Sequence, residues 1–331
     1  MTDSTKKNLF MVSTPWQLVN ASEAISAFNA KGNVLIVRAT SNQINIRQMQ
    51  ALLQPDDWSS IVYLSNNKSN FLQYAKVIKD CKKTHYDKIF IGWDWFSQIL
   101  FSNVVFNDAY IIDDGLLTIT HYNELRLGVK KYQEFFKKKL RFILFGFKVF
   151  TFKRIGFFTS FLLPNLDNIK IKRHNFQSIR KKYSAKNFQK NKDVFIVGQA
   201  LTEKEVMSQK LYNQYIAGIC RYFQGCNVLY IPHHDEKNIF RFVDSFDGME
   251  LKIIDQPLEI FLLESKVTPK AIVGLFSSLL VNVRQLLNSS KNIYYIHIPD
   301  SYINTGPYKQ ILQNNRSYII DSKINKIELD M

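Results

Sequence analysis

Short apolar runs alternate with longer amphipathic stretches along most of this chain. The runs at 9–12, 34–37, 61–64, 88–91 and 109–112 carry no polar alternation, which is the pattern of strands covered on both faces of a parallel sheet. Between the first two, Leu18, Ala21, Ala24, Ile25 and Phe28 recur at helical spacing behind Pro15, and proline suits the first turn of a helix. Helices are expected at 44–53 and 71–81. The same rhythm returns at 194–199, with helices at 203–223, 238–246, 257–263 and 279–287. The strands between them fall at 227–231, 251–254, 271–276 and 293–298, the last of the chain. Strands alternating with helices in this way predict doubly wound parallel α/β sheets.

The rhythm breaks once, between 126 and 192. Here 19 Lys and Arg face only Glu134 and Asp167, a local charge of +17 within a whole-chain charge of +16, so the remainder sums to about −1. Interleaved with these cations are Phe142, Leu144, Phe145, Phe147, Phe150, Phe152, Phe157 and Phe158. Cations that meet anionic head groups, beside aromatics that enter the interface, fit peripheral attachment to a membrane surface. The alternatives are a basic helix packed on its own domain, or phosphate contacts with nucleic acid. The phenylalanine density favours the membrane, and no nucleic acid is expected as partner. Residues 179–192 read as a linker. The expected organisation is a first Rossmann-like domain over 1–190 that includes the basic segment, a second over 191–315, and a tail at 316–331.

With 331 residues and 46% apolar content, the chain can bury two ordinary cores. Three scattered cysteines form no disulfide framework or zinc spacing. The apolar run after Lys6 and Lys7 is too short for a signal peptide, and nothing reaches the ~20 apolar residues of a membrane span. A cytoplasmic place, at the inner face of a membrane, is the expectation.

Candidate chemistry sits where strands end, as ligands do in open α/β sheets. Asp113-Asp114-Gly115 closes one strand; either neighbouring residues point oppositely, so that one aspartate faces the cleft as a base and the other is structural, or the pair forms an ordinary Asx-turn. Tyr230-Ile231-Pro232-His233-His234-Asp235-Glu236 closes another strand. It is either a ligand site carrying His233 and His234, or a polar loop with Asp235 capping the next helix. Ser277-Ser278 stands before a helix N-terminus, where hydroxyls and free N–H groups suit a phosphate, although serine is also an ordinary cap. Glu259, early in a helix, is placed to accept ribose hydroxyls or to answer the helix dipole. No glycine-rich dinucleotide fingerprint, phosphate loop or metal-ligand spacing is present, and no metal is expected. His85, His121, His174 and His297 read as structural.

Together and in order, Asp113-Asp114-Gly115, His233 and Ser277-Ser278 resemble the acidic-acidic-Gly, His-Pro and Ser-Ser/Thr motifs of bacterial sialyltransferases. Residues 10–21, FMVSTPWQLVNA, resemble the N-terminal signature of glycosyltransferase family 52 and the related bacterial polysialyltransferases. One position departs: His234 stands where the motif has proline. The resemblance implies a GT-B fold, two Rossmann-like domains facing each other across a cleft. It implies an inverting, metal-independent sialyltransferase with CMP-Neu5Ac as donor and no cofactor. Asp114, with Asp113 second, would be the base. His233 would assist departure of CMP, Ser277 and Ser278 would hold its phosphate, and Glu259 its ribose. Gly198, Gln199 and His234 would line the donor side, and Ser13, Thr14 and Gln17 the cleft opposite. The expected acceptor is a terminal galactose, linked α2,3, on a lipid-linked glycan or lipooligosaccharide of O-antigen or surface-polysaccharide assembly. Polysialic acid extension, transfer of Kdo or pseudaminic acid, and a non-catalytic basic binding protein are the alternatives.

Overall fold

The computed structural model describes residues 6–39, 42–65, 70–126, 136–149, 155–167, 169–183, 189–304 and 306–329. The chain divides into two compact units, Met1–Ile179 and Arg180–Met331. The break thus falls inside the stretch read as a linker, earlier than the expected boundary at 190.

The first unit holds strands β1 (Asn8–Val12), β2 (Asn33–Ala39), β3 (Ser60–Ser65), β4 (His85–Ile91), β5 (Val105–Ile112), β6 (Gly156–Thr159) and β7 (Ile171–Arg173). Its helices are α1 (Pro15–Phe28), α2 (Gln43–Leu52), α3 (Phe71–Cys81), α4 (Trp95–Asn103), α5 (Leu117–Arg126), α6 (Phe136–Leu144) and α7 (Gln177–Lys182), the last of which runs across the break. The sheet order is β3-β2-β1-β4-β5-β6-β7, with every pairing parallel. Met11 pairs with Ile36 on one side and Ile91 on the other. The order reverses direction between β1 and β4, and such a switch point opens a crevice at the strands' carboxyl ends.

All five residues of β1 are buried. Phe10 stacks on Phe90 at 4.6 Å between ring centres, and Phe28 of α1 reaches Phe90, Tyr110 and Phe158. Burying each such ring contributes ~1.5–3 kcal/mol, so α1 is pinned to the sheet and the turn between β1 and α1 is held in place.

The basic segment behaves differently from its sequence pattern. Phe157 and Phe158 are fully buried in β6, beside β5, and Phe142 and Phe147 are buried too. These four rings are core, not an interfacial face. Exposed instead are Leu140, Ile143, Leu144 and Phe145, with Leu144 at 75%. Phe150 and Phe152 lie outside the described residues.

The second unit carries β8 (Gln189–Lys190), β9 (Asp193–Val197), β10 (Asn227–Ile231), β11 (Met249–Leu251), β12 (Val267–Thr268), β13 (Ala271–Gly274), β14 (Ile293–Ile296) and β15 (Asn325–Ile327). Its helices are α8 (Gln209–Tyr222), α9 (Ile239–Val243), α10 (Leu258–Ser265), α11 (Ser278–Leu287) and α12 (Pro307–Asp321). A six-stranded parallel sheet, β11-β10-β9-β13-β14-β15, reverses between β9 and β13. Helix α8 starts at Gln209, capped by Ser208, rather than at 203. The chain turns before it, with Glu205 at a positive φ of 54° that no helix interior accepts. Residues 316–331, expected as a tail, hold the end of α12 and β15, which pairs with β14.

Candidate active site

In the first unit the site grows from the carboxyl ends of the strands flanking the switch point. Thr14 caps α1: its Oγ1 accepts from the Gln17 backbone N–H at 3.2 Å and donates to Asp114 Oδ1 at 3.3 Å. Gln17 is 2% exposed, and its Oε1 accepts from the Ser13 N–H at 2.7 Å. Its side chain is also near enough to the Asp114 carboxylate to favour its charged form. Gly92, just past β4, leaves the room that Gln17 fills, since a Cβ there would lie 2.1 Å from Gln17 Oε1. The turn after β1 and the end of β5 are therefore built as one piece.

The two aspartates have separate lives. Asp113 is wholly buried, and its Oδ2 accepts from the Ser160 N–H at 2.6 Å and the Ser160 Oγ at 2.9 Å. His174 lies 3.6 Å away, its ring stacked on Phe158. Asp113 thus ties β5 to the end of β6. Asp114 keeps part of its surface open. Burial pushes its pKa up, more than Gln17, His121 and Thr14 draw it down, and Asp94 adds to the rise. A carboxyl held above its ordinary range, with one edge accessible, is suited to receiving a proton.

Two groups that sequence reasoning passed over adjoin this cluster. Arg38, at the end of β2, donates from Nε to Ser13 Oγ at 3.2 Å and pairs with Asp94 at 2.6 Å. Asp94 caps α4 through a capping box with Ser97. His121, read as structural, is near enough to favour the charged form of Asp114.

In the second unit the heptapeptide Tyr230–Glu236 leaves β10 at its carboxyl end. Asp235 donates its backbone N–H to His233 Nδ1 at 3.2 Å. An Nδ1 that accepts carries no proton, so the neutral ring holds its proton on Nε2, a donor. His233 is neutral: burial, then His234 and Lys204, lower its pKa to about 4 against the pull of Asp235 and Glu203. The ring of His234 stacks on it at 4.1 Å and is more exposed. Asp235 does not cap the next helix, whose N-cap position Asn238 takes without a side-chain bond, and Asp235 pairs with Lys204 at 3.2 Å. Among the described residues, His233, His234 and Asp235 bring possible metal-ligating atoms within 4.8 Å of one another, but His233 Nδ1 and Asp235 are already engaged as described.

Gly198 and Gln199 close β9. Gln199 Oε1 accepts from the Phe276 N–H at 2.7 Å, which ties the end of β9 to the residue before Ser277. Ser277 caps α11 by accepting from the Leu279 N–H at 3.2 Å, and Ser278 begins the helix. Its hydroxyl stands at a helix N-terminus, an end that favours anions, although the Leu279 and Leu280 N–H groups are already engaged by Ser277. Glu259 stands in the first turn of α10, only 6% exposed, and accepts from Asn282 Nδ2 of α11 at 3.0 Å. Burial raises its pKa. Of the expected residues, Ser13, Thr14, Gln17 and Asp114 meet in the first unit. Gly198, Gln199, His233 and the Phe276-Ser277 step are joined in the second, and Glu259 is fastened to α11 farther down that helix.

Two parallel Rossmann-like sheets, each with polar groups at its switch point, define the class: the fold is GT-B, that of many glycosyltransferases. In overall structure the chain is similar to an α/β-galactoside α-2,3-sialyltransferase from Photobacterium phosphoreum, at 11% identity and a TM-score of 0.54, over 98% of this chain and 99% of that one. A Photobacterium sp. 2,6-sialyltransferase, solved with CMP and lactose, gives 12% identity and a TM-score of 0.52, over 97% and 78%. UGT2 of Phytolacca americana, solved with UDP-2-fluoro-glucose and pterostilbene, gives 10% and 0.52, over 100% and 86%. No curated protein matches in sequence. Residues 8–296 match the alpha-2,8-polysialyltransferase (POLYST) family, to which the chain belongs. It is a glycosyltransferase of sialyltransferase type.

Proposed function

We propose that this chain moves sialic acid from CMP-Neu5Ac to a glycan hydroxyl, with inversion and without a metal. The observation that carries the reading is Asp114: partly open, held by Thr14 and Gln17, with its pKa raised by burial. Asp113 is consumed in holding Ser160, which favours Asp114 as the base. In this reading Asp114 takes the acceptor hydroxyl's proton as its oxygen attacks the anomeric carbon. The Nε2–H of His233, with Ser277 and Ser278 at the N-terminus of α11, meets the charge that builds on the departing CMP phosphate. Preorganised donors of this kind are commonly the largest single contribution to catalysis. Gly198, Gln199 and His234 line the donor side, and Glu259 receives the ribose hydroxyls. Thr14 lines the acceptor side, with Ser13 and Gln17 buried behind it.

The acceptor in this reading is a terminal galactose, linked α2,3, on a lipid-linked glycan or lipooligosaccharide of O-antigen assembly. Leu140, Ile143, Leu144 and Phe145 are exposed within the cationic segment, which supports peripheral attachment at the inner face of a bacterial membrane. No helix among the described residues is long and apolar enough to cross one. A second acceptor, a terminal sialic acid extended through α2,8 linkages, is favoured by the family that residues 8–296 match. Incubating the protein with CMP-Neu5Ac, CMP-Kdo and CMP-pseudaminic acid against galactose- and sialic acid-terminated aryl glycans, read by mass spectrometry, tests the reading. Sialylated product in the presence of EDTA is the expected result. No product from any CMP-sugar would end it.

A further inference from the structure

Behind the His233 loop lies a buried polar cluster that the transfer reaction as described does not use. Glu236 Oε2 accepts the His233 backbone N–H at 2.6 Å. Its Oε1 accepts from the hydroxyl of Tyr230 on β10 and, at 3.4 Å, from that of Tyr212 on α8; the two hydroxyls are 2.8 Å apart. The Tyr212 oxygen also accepts the Gln199 N–H at 3.2 Å. Gly198, just past β9, faces the cluster without a side chain. A Cβ on Gly198 would come within 2.3 Å of Glu236 Oε2 and 2.7 Å of the Tyr230 oxygen. Glycine at 198 is therefore what admits this carboxylate, and the carboxylate links the His233 main chain to Tyr230 of β10 and Tyr212 of α8.

We propose that Glu236 is a positioning residue for the transfer reaction: it fixes the main chain of His233 against Tyr230 of β10 and Tyr212 of α8, so that the imidazole presents Nε2–H to the donor phosphate. The inference rests on the proposed role of His233. Three independent contacts converge on the one carboxylate: a main-chain N–H from the loop it orders, and hydroxyls from a strand and a helix. The His233 ring is then set by a second main-chain contact from Asp235, one residue before Glu236. Sliding the loop would break both.

Protonation supports the geometry. Burial lifts the pKa of Glu236 to about 7, Glu203 adds to the rise, and Tyr230, the His233 N–H and Tyr212 oppose it. Glu203 is itself held by the Lys237 N–H and Thr202. Above about pH 7 both oxygens accept. Below it one carries a proton and competes with a donor it should receive, so the loop loosens as pH falls.

The test compares Glu236→Leu, which has similar volume and no acceptor, with Glu236→Gln, which keeps one acceptor oxygen, each also in a His233→Ala background. Glu236→Leu is expected to lower kcat by about 10- to 100-fold, the scale of losing a hydrogen bond to a charged group, with donor KM nearly unchanged. Glu236→Gln, whose amide keeps one acceptor and presents a donor as the protonated acid does, should hold kcat near the value the unsubstituted protein shows well below pH 7 and abolish its change through about pH 7. In the His233→Ala background neither substitution should lower kcat further, because residues acting as one unit are not additive. Full kcat in Glu236→Leu, or a loss that adds to that of His233→Ala, overturns the proposal. A silent His233→Ala would instead strike the reading on which it rests. Side-chain nitrogen NMR of His233 decides independently of turnover. The proposal expects the proton on Nε2 in the unsubstituted protein and mixed tautomers in Glu236→Leu; an unchanged single tautomer overturns it.

Discussion

Gly92→Ala puts the first unit's site to a steric test. The new methyl would lie 2.1 Å from Gln17 Oε1, 2.2 Å from its Cδ and 2.5 Å from its Nε2. Gln17 is buried, so its amide has no solvent to swing into. Either β4 shifts or the amide leaves the Ser13 N–H and the Asp114 carboxylate. Overpacking costs about 1–3 kcal/mol, and an orphaned buried N–H another ~1–3 kcal/mol. The expected loss is therefore about 2–6 kcal/mol, or a Tm lower by roughly 4–24 °C for a unit of this size. Gly306→Ala, where a methyl meets nothing within 4 Å, serves as the control. Urea unfolding and thermal melts read the stability. Gln17→Ala in the same chain should remove the clash, so the double variant should unfold close to Gln17→Ala alone, although transfer stays impaired because Asp114 has lost its partner. If the double variant loses the sum of the two single losses, the clash lies elsewhere and this picture of the site is wrong.

Other expectations are narrower. Thr14→Val removes a donor that favours the charged form of Asp114, so the acidic limb of kcat/KM should move to higher pH, and loss of the cap should take about 1 kcal/mol from stability. Glu236 has a folded pKa of about 7, above its ordinary 4.5. The stability this lends is present below pH 4.5 and is lost as pH rises through 7, about 3 kcal/mol at ~1.36 kcal/mol per unit. Denaturant titrations at pH 5 and 8 should therefore show the unsubstituted protein losing stability relative to Glu236→Gln; parallel behaviour refutes it. Replacing Leu144 and Phe145 by Glu should abolish sedimentation with anionic vesicles while leaving turnover of a soluble aryl acceptor intact.

The sheet rhythm was legible because strand stretches buried on both faces are apolar runs, as Leu9–Val12 of β1 and Ile89–Ile91 of β4 are. Strand β6 was not, since its four residues sit just past Lys153 and Arg154 and read as part of a cationic, aromatic surface. Only pairing with β5 turns Phe157 and Phe158 into core. Asp113-Asp114 could be read as a divided pair from strand alternation, yet which residue is sealed depends on Ser160, 47 positions later. Arg38 and Asp94 carry no local signal. They meet because β2 and β4 flank β1. Glu236 was visible three residues after His233, but its role depends on Tyr212 and on the missing side chain at Gly198, both brought to it by the fold.

The account stands most directly on CMP release from CMP-Neu5Ac by Asp114→Asn, compared with Asp113→Asn, in the presence of a glycan acceptor. Removal of the base should lower kcat at least ~100-fold for Asp114→Asn with donor binding retained, whereas Asp113→Asn should act chiefly through stability. Undiminished CMP release by Asp114→Asn would contradict the central claim.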